Sequence, residues 1–219
     1  MEDYRDTTVL IPVKDEPAVE KVTKGVLSKL PACKVIVVYK GRLGMKLNGK
    51  NLRILKQSGS GKGAACVQAA KLVDTDIMCF IDGDNTYDVN DLKKVIALVR
   101  EGAAMAIGNR FSNISSEAMP PYIQFGNNML TLTANVLYGL RIKDSQTGLR
   151  AIRKDIFDRL GVTETHFGIE EEMNIKTKKL GLKIAETPIN YYVRVGESKQ
   201  FKLVDGLRLL FINFKFIFW

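Results

Sequence analysis

Residues 77–81, Ile-Met-Cys-Phe-Ile, form an unbroken apolar run that stops at Asp82-Gly83-Asp84. No other segment constrains the fold as much. A short, continuous, partly β-branched stretch suits a strand covered on both faces, as in a parallel sheet between helices. Two carboxylates one residue apart at its carboxyl end repel each other and lose water together. A divalent cation between or beside them removes that conflict. In open α/β sheets, ligands bind just beyond the carboxyl ends of the strands. The tripeptide therefore has two readings: a metal site that holds a phosphate, or an acidic turn, since Asp and Gly are common turn residues.

The rest of the chain repeats the strand-then-helix pattern. Val9–Val13 reads as a strand, and a helix follows from Pro17 to about Leu30, with Val19, Val22, Val26 and Leu27 at helical spacing. Val35–Tyr39 and Leu52–Leu55 are further strands, and Ala64–Val73 is a helix. A helix over Asp91–Glu101 takes Asp88 or Asn90 as its cap, and a strand over Ala104–Ile107 ends at Gly108-Asn109-Arg110. This alternation predicts an α/β fold with a mostly parallel sheet and helices on both faces. The second half adds helices over Tyr122–Tyr138 and Glu170–Leu180, the latter stopped by Gly181. It also adds a short strand over Gly148–Ile152 and a strand over Ile184–Val193 that Pro188 assigns to a sheet edge.

A length of 219 residues fits one domain, expected over 1–200, with residues 201–219 as an appended segment. That segment mixes Leu, Ile, Phe and Trp with Lys202, Arg208 and Lys215. It is too short and too charged for a span, and it suits an amphipathic helical segment at a membrane interface. The alternative is a terminal helix packed on the core. No 18-residue uncharged apolar stretch occurs, so no transmembrane helix is expected, and the polar start from Met1 to Asp6 predicts no signal peptide. Cys33, Cys66 and Cys79 have no metal-like spacing and read as small buried residues in a reducing compartment. The net charge of +9 points to an anionic partner. The cations are scattered without interleaved aromatics, which argues against nucleic acid.

Several clusters carry possible chemistry. Gly59-Ser60-Gly61-Lys62-Gly63 lacks the P-loop spacing, yet backbone N–H groups and Lys62 could face an anion. A flexible turn with an exposed lysine is the alternative. In the run from Asp144 to Arg150, Asp144 could orient an acceptor, bind a sugar hydroxyl or act as a base; a capped turn is the plainer account. Glu170-Glu171-Glu172 opens a helix, where the dipole alone favours acidic residues. Arg194-Val195-Gly196-Glu197-Ser198-Lys199 suits a clamp on a diphosphate, or else a solvated basic loop. His166, the only histidine, excludes a Ser-His-Asp triad that does not use it, and no Cys/His zinc pattern exists.

Taken together and in order, these residues resemble the family-2 glycosyltransferases of GT-A fold, and within them the polyprenyl-phosphate sugar synthases of the dolichyl-phosphate mannose synthase group. The resemblance spans roughly Val9 to Lys199. Ile11 to Glu16 is similar to the family's opening strand and donor-nucleotide loop, and Gly61 to Ala65 to the start of its second helix. Asp82-Gly83-Asp84 resembles the D-x-D metal motif. Gly108 to Phe111 is similar to the Gly-Ser-Arg-Phe segment, Asp144 to Arg150 to the acceptor-side segment, and Arg194 to Lys199 to the closing element, one residue shorter here. Tyr39-Lys40-Gly41-Arg42 replaces the family's acidic base-contacting motif, and Thr86 replaces a glutamine two residues after the second motif aspartate. The Q-x-x-R-W pattern of processive synthases is absent.

The resemblance implies Mg²⁺ or Mn²⁺ on Asp82 and Asp84. It implies a nucleotide-diphospho-sugar donor held by Pro12, Lys14, Glu16, Lys62, Asp82, Gly83, Asp84, Arg110, Gln146, Arg194, Ser198 and Lys199. Asp84, Asp144, Arg194 and Lys199 are then the catalytic candidates. The expected acceptor is a polyprenyl phosphate, reached from a membrane surface by a peripheral protein on the cytoplasmic face, or by a cytoplasmic one if residues 201–219 pack on the core, with a homo-oligomer among the arrangements left open. A non-lipid acceptor, a sugar nucleotidyltransferase and a non-catalytic nucleotide-sugar-binding module are the alternatives. The first strand of a nucleotidyltransferase would be followed by a Gly-rich loop with Arg, where Pro12-Val13-Lys14-Asp15-Glu16 stands.

Overall fold

A computed structural model describes residues 3–195 and 203–219. The elements in order are β1 (Thr7–Lys14), α1 (Val19–Lys29), β2 (Lys34–Lys40), β3 (Leu52–Lys56), α2 (Lys62–Ala70), β4 (Ile77–Phe80) and α3 (Asp91–Arg100). Then come β5 (Met105–Ile114), α4 (Pro121–Tyr138), β6 (Arg150–Arg153), α5 (Lys154–Leu160), α6 (Ile169–Lys179), β7 (Ile184–Tyr191) and α7 (Leu203–Lys215).

The seven strands form one sheet in the order β3-β2-β1-β4-β6-β5-β7. Every neighbouring pair is parallel except those that β6 makes with β4 and β5. The α/β architecture with a mostly parallel sheet is therefore as the sequence predicts. Side-chain alternation splits the core in two. Val9, Ile11, Val35, Val37 and Cys79 face α1 and α3, while Leu10, Ile36, Val38, Met78 and Phe80 join the cluster built with α2, α5 and α6. Burial on both faces is what makes β1, β2 and β4 continuous apolar runs.

Several local expectations change. β5 runs on through Asn109 and Arg110 to Ile114, because β7 keeps pairing with it past a register shift between Asn109 and Asn113. Pro188 sits on β7 as expected, at the edge, where its missing N–H disrupts no further ladder. Neither Asp88 nor Asn90 caps α3 through its side chain: Asp88 accepts from Asn90 N at 2.9 Å, and buried Asp91 accepts from Asn190 N at 2.7 Å, tying α3 to β7. One face of α7 packs on α4 and α6 through Leu209, Ile212 and Phe216, while Leu210, Phe211, Phe214, Ile217 and Phe218 stay exposed. Among the described residues, no helix is long and apolar enough to cross a membrane.

Candidate active site

A cleft of about 480 Å³ opens beyond the carboxyl ends of β1 and β4. Every expected donor-binding residue that the structure describes lines it: Pro12, Lys14, Glu16, Lys62, Asp82, Gly83, Asp84, Arg110, Gln146 and Arg194. Ser198 and Lys199 lie outside the described residues.

At the centre, Lys62 Nζ lies 2.6 Å from Asp82 Oδ1 and 2.8 Å from Glu170 Oε1. Burial works against the lysine charge, but the two carboxylates outweigh it and hold the ammonium well above the ordinary lysine range. Lys62 therefore enters the cleft as the glycine-rich loop suggests, but the backbone there does not. Gly63 N donates to His166 O at 3.2 Å and Ala64 N to Thr165 O at 2.9 Å, so these donors are spent within the protein. The reason is close packing of the loop before α6: a Cβ on Gly63 would stand 2.1 Å from Glu164 O.

Asp84 Oδ1 accepts from Thr86 N at 3.1 Å and from Thr86 Oγ1 at 2.7 Å. Burial, and then the charge of Asp82, raise the Asp84 carboxyl above its usual range, against the pull of Thr86 and Arg194. After β7 the chain runs back along this loop, with Tyr192 N on Thr86 O at 2.8 Å and Val195 N on Asp84 O at 3.2 Å. That path carries Arg194 across the cleft. Its Nη2 donates to Glu16 Oε1 at 2.5 Å and its Nη1 lies 3.0 Å from Asp84 Oδ2. Its Nε is buried without a hydrogen-bond partner among the described residues, a donor left over for a ligand oxygen.

Asp144 stands behind the cleft wall and is fully buried. Its Oδ2 accepts from Arg110 N at 3.1 Å and Nε at 2.7 Å, and its Oδ1 from Arg110 Nη2 at 2.8 Å. It reaches the cleft through Arg110, whose guanidinium also lies 5.4 Å from the centre of the Tyr191 ring, and through Gln146, whose N donates to Asp144 Oδ1 at 3.3 Å. Direct contact between Asp144 and an acceptor or sugar, as the sequence suggests, is replaced here by a bidentate grip that aims a cation.

Gln146 Nε2 donates to Glu171 Oε2 at 2.6 Å and to Ser145 Oγ at 2.8 Å, which leaves its carbonyl oxygen as the group offered to the cleft. The three glutamates of α6 all have tertiary tasks beyond the helix dipole. Glu170 pairs with Lys62, Glu171 holds Gln146, and Glu172 accepts from Thr163 and Glu164 and pairs with Lys176 at 2.7 Å. A readable signal for this existed: three consecutive side chains on a helix point about 100° apart, so one solvated face cannot hold all of them. Tyr87, Tyr122, Asn127 and Tyr191 also line the cleft, and Tyr87 Oη accepts from Gly148 N at 2.7 Å. They stand outside any motif, so only the fold gathers them.

Two glycines permit the close approach. A Cβ on Gly83 would come within 2.3 Å of Val13, and one on Gly148 within 2.4 Å of Asp82 Oδ2 and 3.0 Å of Lys62 Nζ. Among the described residues, no group of three or more His, Cys, Asp or Glu side chains is gathered for a metal ion. The Asp82–Asp84 pair instead fits the way Mg²⁺ or Mn²⁺ is held in phosphate sites, by one or two carboxylates with ligand phosphates completing the sphere.

Residues 8–161 match the family model described as glycosyl transferase family 2. The chain is 34% identical over 158 residues to a low-salt glycan biosynthesis hexosyltransferase of Haloferax volcanii, covering 71% of this chain and 38% of that protein. It is 32% identical over 147 residues to a dolichyl-phosphate hexose transferase of the same organism, covering 67% of this chain and 64% of that one. The chain thus spans less than two thirds of the length of either relative. The fold is similar to glucosyl-3-phosphoglycerate synthase from Mycobacterium tuberculosis, solved with Mn²⁺, UDP and phosphoglyceric acid. The TM-score is 0.65 at 17% identity, over 93% of this chain and 74% of that one.

Proposed function

The chain belongs to glycosyl transferase family 2, and on that premise we propose that it moves a hexose from a nucleotide-diphospho-sugar to a polyprenyl phosphate, with inversion at the anomeric carbon. One observation carries the reading: the Asp82–Asp84 pair sits in a cleft at the strand ends, with Lys62, Arg110 and Arg194 around it. A Mg²⁺ or Mn²⁺ ion held by Asp82 and Asp84 would supply Lewis-acid neutralisation of the departing diphosphate. Lys62 fixes Asp82, and Arg194 ties Asp84 to Glu16 and keeps its free Nε–H for a phosphate oxygen. Arg110, aimed by Asp144, adds a second guanidinium. Lys199 and Ser198 of the closing element belong with them in this proposal.

An oxygen of the acceptor phosphate attacks the anomeric carbon. The bond from that carbon to the diphosphate oxygen breaks, and the nucleoside diphosphate leaves with the electron pair. A phosphate monoester with a second pKa of about 6 is already anionic near neutrality, so the protein need not supply a strong base. This accords with Asp144 being buried under Arg110. The dolichyl-phosphate hexose transferase among the relatives supports the lipid acceptor, and Mn²⁺ with UDP in the mycobacterial synthase supports the metal and the donor class. The protein would act as a peripheral one on the cytoplasmic face, with residues 201–219 at the membrane interface.

The test is transfer of radiolabelled sugar from a panel of UDP- and GDP-sugars into organic-extractable polyprenyl phosphate, with and without Mn²⁺ or Mg²⁺. Metal-dependent label in the lipid from one donor is expected. Metal-dependent release of nucleoside diphosphate without lipid label would overturn the acceptor and keep the transferase. No label and no release would overturn both in favour of a binding module.

A further inference from the structure

Helix α4 is apolar on the side that faces away from the protein. Tyr122, Phe125, Met129, Leu132 and Val136 recur at intervals of three and four residues, and each is between 45 and 73% exposed. Its inner side, with Asn127, Leu130, Thr131 and Ala134, is already packed. An ordinary surface helix puts charge on its outer face, but residues 121–138 contain no Asp, Glu, Lys or Arg. Helix α7 packs beside α4, joined through Leu130 against Leu209, Ile212 and Phe216 and by the Tyr138 hydroxyl on Asn213 O. Its own outer face carries Leu210, Phe211 and Phe214, and Phe218 is exposed just past its end. Two adjacent helices thus present one apolar face, larger than scattered surface residues make.

Cations predominate around this face, although Glu117 is exposed just before α4 and Lys215 is paired with Glu164 at 2.5 Å. Residues 206–219 contain Arg208 and Lys215 and no acidic residue. At the far end of α4, Arg141, Lys143 and Lys178 are exposed, and Lys178 Cε lies 3.9 Å from where a Cβ on Gly139 would stand. The near end of the stripe meets the active site, because Met119, Pro120, Tyr122 and Ile123 line the cleft. A ligand with an anionic head in the cleft and a long apolar tail would leave along α4.

We propose that the outer face of α4, continued by α7, rests on a lipid bilayer with anionic headgroups, with the cleft mouth at the membrane surface. The apolar stripe enters the acyl boundary, and the rim cations meet the headgroups. The proposal deepens the lipid-acceptor reading and assigns the main contact to α4, a helix outside residues 201–219.

The test is co-sedimentation of the full chain with phosphatidylcholine vesicles, with and without phosphatidylglycerol, and with no sugar nucleotide or polyprenyl phosphate present. The wild type is compared with the double variant Phe125→Glu/Leu132→Glu and with Leu72→Glu, which places the same charge at an exposed apolar site away from the face. The double variant is expected to partition at least about tenfold more weakly, equivalent to about 1.4 kcal/mol, with Leu72→Glu unchanged and all three melting alike by circular dichroism. Equal binding by the double variant, or no binding by the wild type, overturns the proposal. A wild-type dimer that the double variant breaks, with neither binding vesicles, assigns the face to a second copy instead. Vesicle binding with no transfer would count against the acceptor reading alone.

Discussion

At Glu171 burial and hydrogen bonding pull in opposite directions. The carboxyl is fully buried and pushed up to about 7, mainly by loss of water, with Ser145, Arg150 and Gln146 drawing it down and Glu170 adding to the rise. Its Oε1 has no partner among the described residues. The linkage has a definite sign. The folded carboxyl holds its proton more tightly than the unfolded one, whose ordinary value is 4.5. The stability it contributes is therefore complete below 4.5 and lost as pH rises through about 7. Replacing Glu171 by Gln removes this titration. The stability of Glu171→Gln minus that of the wild type is expected to rise by on the order of 3 kcal/mol between about pH 4.5 and pH 7.5. Urea denaturation of both proteins across that range checks it, because any constant offset from the new amide cancels. A flat difference would mean that the wild-type carboxyl ionises as it does in water. The residue also shows why motif reading stops short: Gln146 stands in a recognisable segment, while the group that fixes its amide comes from a helix 25 residues further on.

Among the elements, α7 has two working faces. Inward, Ile212 is 2% exposed and fits over Gly168, where a Cβ would meet its Cδ1 at 2.0 Å. Lys179 Nζ donates to Phe216 O and Ile217 O at 2.9 and 2.8 Å, and buried Lys176 lies 4.8 Å from the centre of the Trp219 ring. Ile212→Ala is expected to cost about 3 kcal/mol through lost contacts and the cavity left behind. Thermal denaturation measures it, and a cost below about 0.5 kcal/mol would show α7 to be loosely held. Removing the whole helix would uncover Leu130 and Ile175 as well, so a truncation mixes folding with membrane contact, while substitutions on the outer faces separate them. The strands show what the sequence could reveal at this scale. β1, β2 and β4 announce themselves as buried runs. The four residues of β6 do not announce their reversal, which comes from pairing with β4 on one side and β5 on the other. α5 follows β6 with no connecting loop, so no turn signal marks it.

For the whole molecule, the net charge of +9 and the apolar face act at different ranges. Binding to anionic vesicles is expected to weaken as salt rises, because screening shortens the reach of the charges to about 10 Å at 0.1 M, and to keep a residue that reflects apolar burial. Binding insensitive to salt would remove charge from the account. The half of the site contributed by β1, α2 and β4 was legible, because Ile11 to Glu16, Lys62 and Asp82 to Asp84 lie at strand ends or a helix start that local pattern locates. The outer stripe of α4 was not, since periodicity marks a helix without saying which side the core takes. Arg194 has a further consequence. Its bond to Glu16 joins residues 178 positions apart, which makes it among the most distant contacts along the chain. Closing so long a loop carries an entropic cost that earlier contacts must offset. On the ribosome, where domains emerge amino end first, the acidic pair is therefore made long before the arginine that bridges it to Glu16, just past the first strand. A nascent chain can therefore bring its acidic pair to the strand ends before the arginine that spans the cleft has been made.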